Sequence, residues 1–160
     1  MKKAKGLTKY CDLISLALGV VAICMIFLPA IVQKAEDPLT FSGLQVAFGY
    51  SETSGNLVYN YLAFSFMNLL PYILLLAGVV LLCLSAMGKS FKFVNLVVCC
   101  LFVVAGVFMF LTLSFVVPAT NLGGYLNGIN VENYALGVGS ILGGIFAILA
   151  GVASGLKLLK

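Results

Sequence analysis

The sequence predicts an all-α membrane protein: a four-transmembrane-helix antiparallel bundle with a small β-hairpin in its first outer loop. Three observations carry this. Of the 160 residues, 62% are hydrophobic and 9% charged, whereas soluble domains hold about 45–50% and about 25%. The mean hydropathy is +1.17. Four apolar segments without a charged residue, 13–32, 62–87, 94–117 and 134–156, each reach the roughly 20 residues needed to cross a bilayer core about 30 Å thick. The whole chain, 1–160, reads as one membrane domain.

The first span, 13–32, follows a start carrying Lys2, Lys3, Lys5 and Lys9. Its apolar run exceeds the 7–15 residues, roughly, of a signal-peptide core. Val21-Ala22-Ile23-Cys24 resembles a lipoprotein cleavage box, but Ile23 is too large for its position, so an uncleaved span is expected. Pro29 falls late in this span and should kink it.

The first outer loop, 33–61, holds Leu44, Val46, Phe48 and Tyr50 in alternation. A polar turn follows at 51–56, and then Leu57, Tyr59 and Tyr61 alternate again. Two alternating runs around a turn predict a hairpin. The competing reading is a short interfacial helix, because Leu44, Ala47 and Phe48 also fit helical spacing. Recognition needs aromatic anchors on shaped surface, so Phe41, Phe48, Tyr50 and Tyr59 are the candidate contact residues, with Tyr125 from the second outer loop, 118–133.

In the second span Pro71 removes a helical hydrogen bond, and a carbonyl freed in lipid must find another partner. Ser65 and Asn68 precede it and could supply one. With Thr112 and Ser114 near the end of the third span, they make a candidate polar cavity. The linker 88–93 is short enough to force spans two and three to lie antiparallel. The fourth span carries Gly139, Gly143, Ala147 and Gly151 at four-residue spacing, a stripe that lets helix backbones approach closely. It predicts packing within the chain, with dimerisation as the alternative.

Orientation follows from lysine, the only cation present. The two termini and the linker at 88–93 share one side and hold every lysine except Lys34; the other side holds Glu36, Asp37, Glu52 and Glu132. The positive-inside rule then puts both termini in the cytoplasm. Lysine-only usage and the Met-Lys-Lys start point to a bacterial plasma membrane.

Several chemistries are excluded. There is no His for an imidazole base or a common zinc site, and no Arg for a bidentate anion clamp. Cys11, Cys24, Cys83, Cys99 and Cys100 lie in or beside the spans without a CxxC pair. Adjacent Cys99 and Cys100 point about 100° apart on a helix, which disfavours a shared metal, and they read as buried thiols. No cofactor, metal or nucleic acid is expected. Nucleophiles lack a base, so the chain is not expected to be an enzyme. No span holds the ionisable residue of a coupled carrier, and Asp12 sits at the border beside Lys9.

In arrangement alone, with cytoplasmic ends, a long first outer loop with strands and a shorter second one, the chain resembles the claudin-like four-pass families. Their Trp and paired-Cys signature has no counterpart here, so no functional residue carries over. The expected function is structural: a bilayer-embedded bundle presenting its outer loops, around 41–61 and 125–134, to another membrane protein, a second copy or a ligand. The alternative is a small transporter or channel component for a neutral or lipid-like molecule.

Overall fold

The computed structural model describes residues 2–54, 57–87, 93–119 and 129–159, and these are mostly helical. The long helices are α1 (Lys2–Cys24), α3 (Phe66–Ala86), α4 (Val94–Phe110) and α5 (Val138–Gly155); α2 (Gly43–Phe48) is short. The segments Tyr10–Phe27, Phe66–Ala86 and Val138–Gly155 are long and apolar enough to cross a membrane. The fourth long helix, α4, is apolar apart from Asn95 but has 17 residues, about 25 Å of helix.

The long helices close into a ring in which α1 and α4 each pack against both α3 and α5. Contacts run in opposite directions along α4 and α5: Gly106 meets Gly144, Val103 meets Gly151, and Asn95 meets Ser154. The two are therefore antiparallel. Phe102, fully buried, crosses the middle of the ring from α4 to lie against Gly19 of α1 and Gly78 of α3. Around it gather Ala22, Leu75, Val98, Ala105 and Ala147.

Buried hydroxyls tie neighbouring helices together by donating to backbone carbonyls. Ser15 of α1 reaches the Ala150 carbonyl of α5 at 2.7 Å, and Ser154 of α5 reaches the Asn95 carbonyl of α4 at 3.2 Å. Each leaves no polar atom bare in an apolar interior, where an unmatched group is costly.

At the end remote from most lysines, the chain leaves the helices earlier than its hydropathy predicts. α1 stops at Cys24, a 3-10 turn covers Met25–Phe27, and Pro29–Gln33 is a strand, β1. The reason is local. The residue before a proline is pushed out of helical geometry, and Leu28 is extended at φ −85°, ψ 159°. Pro29 thus opens a strand rather than kinking a helix. Span four likewise begins as strand β5 (Tyr134–Leu136) before α5. The residues just before α3 form β4 (Leu57–Leu62), and α4 gives way to a 3-10 turn at Thr112–Phe115.

The single hairpin expected in the first loop becomes two sheets. β1 is the centre of a three-stranded antiparallel sheet, flanked by β2 (Thr40–Ser42) and β5. Ile31 is paired with Phe41 on one side and Leu136 on the other. β3 (Tyr50–Ser54) and β4 form a separate hairpin with Glu52 opposite Tyr59. The alternating run at 44–50, expected as the hairpin's first strand, is mostly α2. Strand pairing instead occupies the stretch read as the turn.

Candidate functional site

The capped end of the bundle holds the aromatic candidates, and its geometry starts with α2. Ser42 caps that helix reciprocally: its Oγ accepts from the Gln45 N–H at 3.3 Å, and Gln45 Oε1 accepts from the Ser42 N–H at 2.9 Å. This Ser-x-x-Gln capping box is legible in the sequence and is the signal that marks 43–48 as helix. Gly49 ends α2 at φ 89°, where a side chain would be strained and its Cβ would stand 2.9 Å from the Leu62 carbonyl oxygen.

Beneath α2 the two sheets share a second core of Ala30, Ile31, Phe41, Val46, Leu62, Val116 and Tyr134. Phe41 is its hub, with ring centroids 5.8 Å from Tyr50, 5.9 Å from Tyr61 and 6.0 Å from Tyr134. Such spacings suit tilted and edge-on aromatic pairs. Phe41 is 3% exposed, so its surface is occupied inside the cap and cannot serve as a contact anchor. Tyr50 stacks on Tyr61 at 5.9 Å and is half-buried. Burial, and to a lesser extent the Tyr61 hydroxyl, push the Tyr134 phenol above its ordinary value of 10.0.

Of the other recognition candidates, Tyr59 is half-buried on the hairpin and Tyr125 lies outside the described residues. Phe48 is 55% exposed and pairs with Phe64, itself 54% exposed, at 6.4 Å. Sequence reasoning missed Phe64. Leu44, one turn before Phe48, and Phe66 and Met67 at the start of α3 are exposed as well. The Ser65 N–H donates to the Ala47 carbonyl at 2.9 Å and holds α2 against α3. The result is an apolar rim of Leu44, Phe48, Phe64, Phe66 and Met67 where α2 meets the start of α3.

The polar candidates do not converge on one cavity. Ser65 caps α3 by accepting from the Asn68 N–H at 3.4 Å and donates to the Phe115 carbonyl at 2.6 Å. Thr112 donates to the Met109 carbonyl at 2.7 Å and accepts from Ser140 at 3.3 Å. Ser114 is exposed. Asn68 is buried, with neither side-chain atom hydrogen-bonded, so its amide does not repair the bond lost at Pro71.

The small residues of α5 all face inward. Gly139 sits against the Leu28 and Pro29 carbonyls, Gly143 against Met109 and Met25, and Gly151 against Val103 and the Cys99 carbonyl. Ala147 is fully buried. In this packing the stripe is filled by the chain's own helices.

At the opposite, lysine-rich end, Asp12 of α1 pairs with Lys157 in the 3-10 turn Leu156–Leu159 that follows α5, Oδ2 to Nζ at 2.7 Å. Among the described residues no three Cys, Asp or Glu side chains assemble as metal ligands. Cys24 and Cys83 are exposed, and of the adjacent pair Cys99 is half-buried and Cys100 exposed, where both were expected to be buried. No protein-family model and no curated protein matches this chain.

Proposed function

We propose that the chain is a four-span protein of a bacterial plasma membrane, both termini cytoplasmic, that holds a folded outer cap against another membrane protein. In this reading α4 crosses the bilayer with the other long helices, its 17 residues extended by the 3-10 turn that follows. The bundle is a scaffold, its centre filled by Phe102 and its small-residue stripe engaged internally. The observation that carries the proposal is the Phe48–Phe64 rim. It is aromatic and exposed, held between the capped helix α2 and the start of α3, and suits a partner lying in the same membrane.

The rim also defines the test. Tyr50 is part of the cap core, so replacing it would unfold the surface being probed. Phe48→Ala with Phe64→Ala leaves the core alone. Mild-detergent pull-down followed by mass spectrometry should recover a membrane partner with the native chain, and recovery should fall at least tenfold with the double variant at unchanged melting temperature. Undiminished capture by the double variant, or no partner for the native chain, would mean that lipid alone covers the rim.

A second reading, a carrier for a lipid-like molecule, draws on one observation: a cavity of about 470 Å³ at the lysine-rich end.

A further inference from the structure

That cavity lies between α1 and α3. The two helices meet where Gly19 faces Val79, and nearer the lysine-rich end the seam opens into a space lined by Tyr10, Asp12, Leu13, Leu16, Leu82 and Ala86. Its volume of about 470 Å³ is within the roughly 300–1,000 Å³ of small-molecule sites. The wall is leucine and alanine except at one end. Tyr10, Leu13 and Ala86 are exposed, so the space opens sideways, onto the flank that lipid covers when α1 and α3 are membrane spans.

The polar end carries an unfinished pairing. Asp12 Oδ2 accepts from Lys157 Nζ, but Asp12 Oδ1 is buried and accepts no hydrogen bond. Asp12 also falls within the apolar stretch that begins at Tyr10. The pair stands at the border of that stretch, each side chain a little over a quarter exposed, at the level where lipid headgroups lie when α1 is a membrane span.

We infer that this groove binds a membrane phospholipid with a primary ammonium headgroup. The acyl chain lies along Leu13, Leu16 and Leu82, the ammonium sits against the exposed part of the Asp12 carboxylate, and the phosphate faces Lys157 Nζ. The Asp12–Lys157 pair has no net charge but presents a minus beside a plus, the complement of a zwitterionic headgroup. A quaternary ammonium has no N–H to give, and a glycerol headgroup brings a net negative charge to the carboxylate. The inference rests on α1 and α3 being membrane spans and not on capture of a partner at the cap.

The test compares the full chain in nanodiscs of ethanolamine, choline or glycerol phospholipids with matched acyl chains, read by melting temperature and by lipid retained in native mass spectrometry. Ethanolamine lipid should raise the melting temperature above the other two and be retained at least fivefold more. Ala86→Phe, which fills the groove without touching the ion pair, should abolish both differences, and Asp12→Asn should reduce them. Equal behaviour of the three lipids with the native chain would overturn the inference. So would an ethanolamine preference that survives Ala86→Phe. The native-chain comparison decides alone if either variant fails to fold, and it is independent of Phe48 and Phe64.

Discussion

A methyl group added at Gly78 would land on the ring of Phe102, which is fully buried and is held from the other side by Gly19. The ring has nowhere to go. Overpacking of this kind costs about 1–3 kcal/mol, so Gly78→Ala should lower the melting temperature in detergent, and adding Phe102→Leu should recover part of the loss. An unchanged melting temperature for Gly78→Ala would show that α3 shifts freely at this level. The sequence displays the small residues of α5 because they repeat every four positions. Gly19 and Gly78 stand outside any such repeat, and their shared partner is on a third helix, so spacing along one helix could not reveal them. Asn68 is a related case. Its place just before Pro71 made it a natural repair for the lost hydrogen bond, but only the fold shows Ser65 turned to Phe115 and the Asn68 amide unmatched.

At the scale of elements, hydropathy located the helices but overran their capped ends. An apolar strand inside a cap and an apolar helix inside lipid have the same composition, and only Pro29, Ser65 and Gly137 mark where one becomes the other. The run at 44–50 fitted both a strand and a helix, and the Ser42–Gln45 capping box decides for the helix. Within the cap, Tyr134 supplies a pH prediction. Its folded pKa lies above the ordinary 10.0 because burial penalises the phenolate and Tyr61 adds to the effect. A raised pKa means the neutral form is favoured on folding. The contribution is therefore fully present below pH 10 and is lost as pH rises through the folded value. The cap should loosen in alkali before the bundle does, seen as faster hydrogen exchange in β1 and β5, and Tyr134→Phe should remove that sensitivity. Exchange that speeds up equally in both proteins would assign the effect to other groups.

For the whole molecule, the antiparallel helices were legible because charge-free apolar runs and lysine placement are properties of the chain itself. The proposed orientation is tested by single cysteines in a cysteine-free background. An impermeant thiol reagent on intact cells should label Ser54→Cys and leave Ser90→Cys unlabelled, and the opposite pattern would invert the protein. The order of elements around the ring was not legible, since nothing in the sequence says that the first and last helices meet. The two ends of the chain meet at several levels: Ser15 with Ala150 and Asp12 with Lys157, 135 and 145 residues apart, and β1 with β5 at the cap. This has a consequence in time. β1 lies about 100 residues upstream of β5, so at a synthesis rate of about 5–20 residues per second it must wait roughly 5–20 s for its partner strand. During that interval its edge is unpaired and the Ser15 hydroxyl has not met Ala150. The sheet of the cap stays incomplete until its last strand arrives, and a ribosome that stalls after α4 would leave β1 with an adhesive edge.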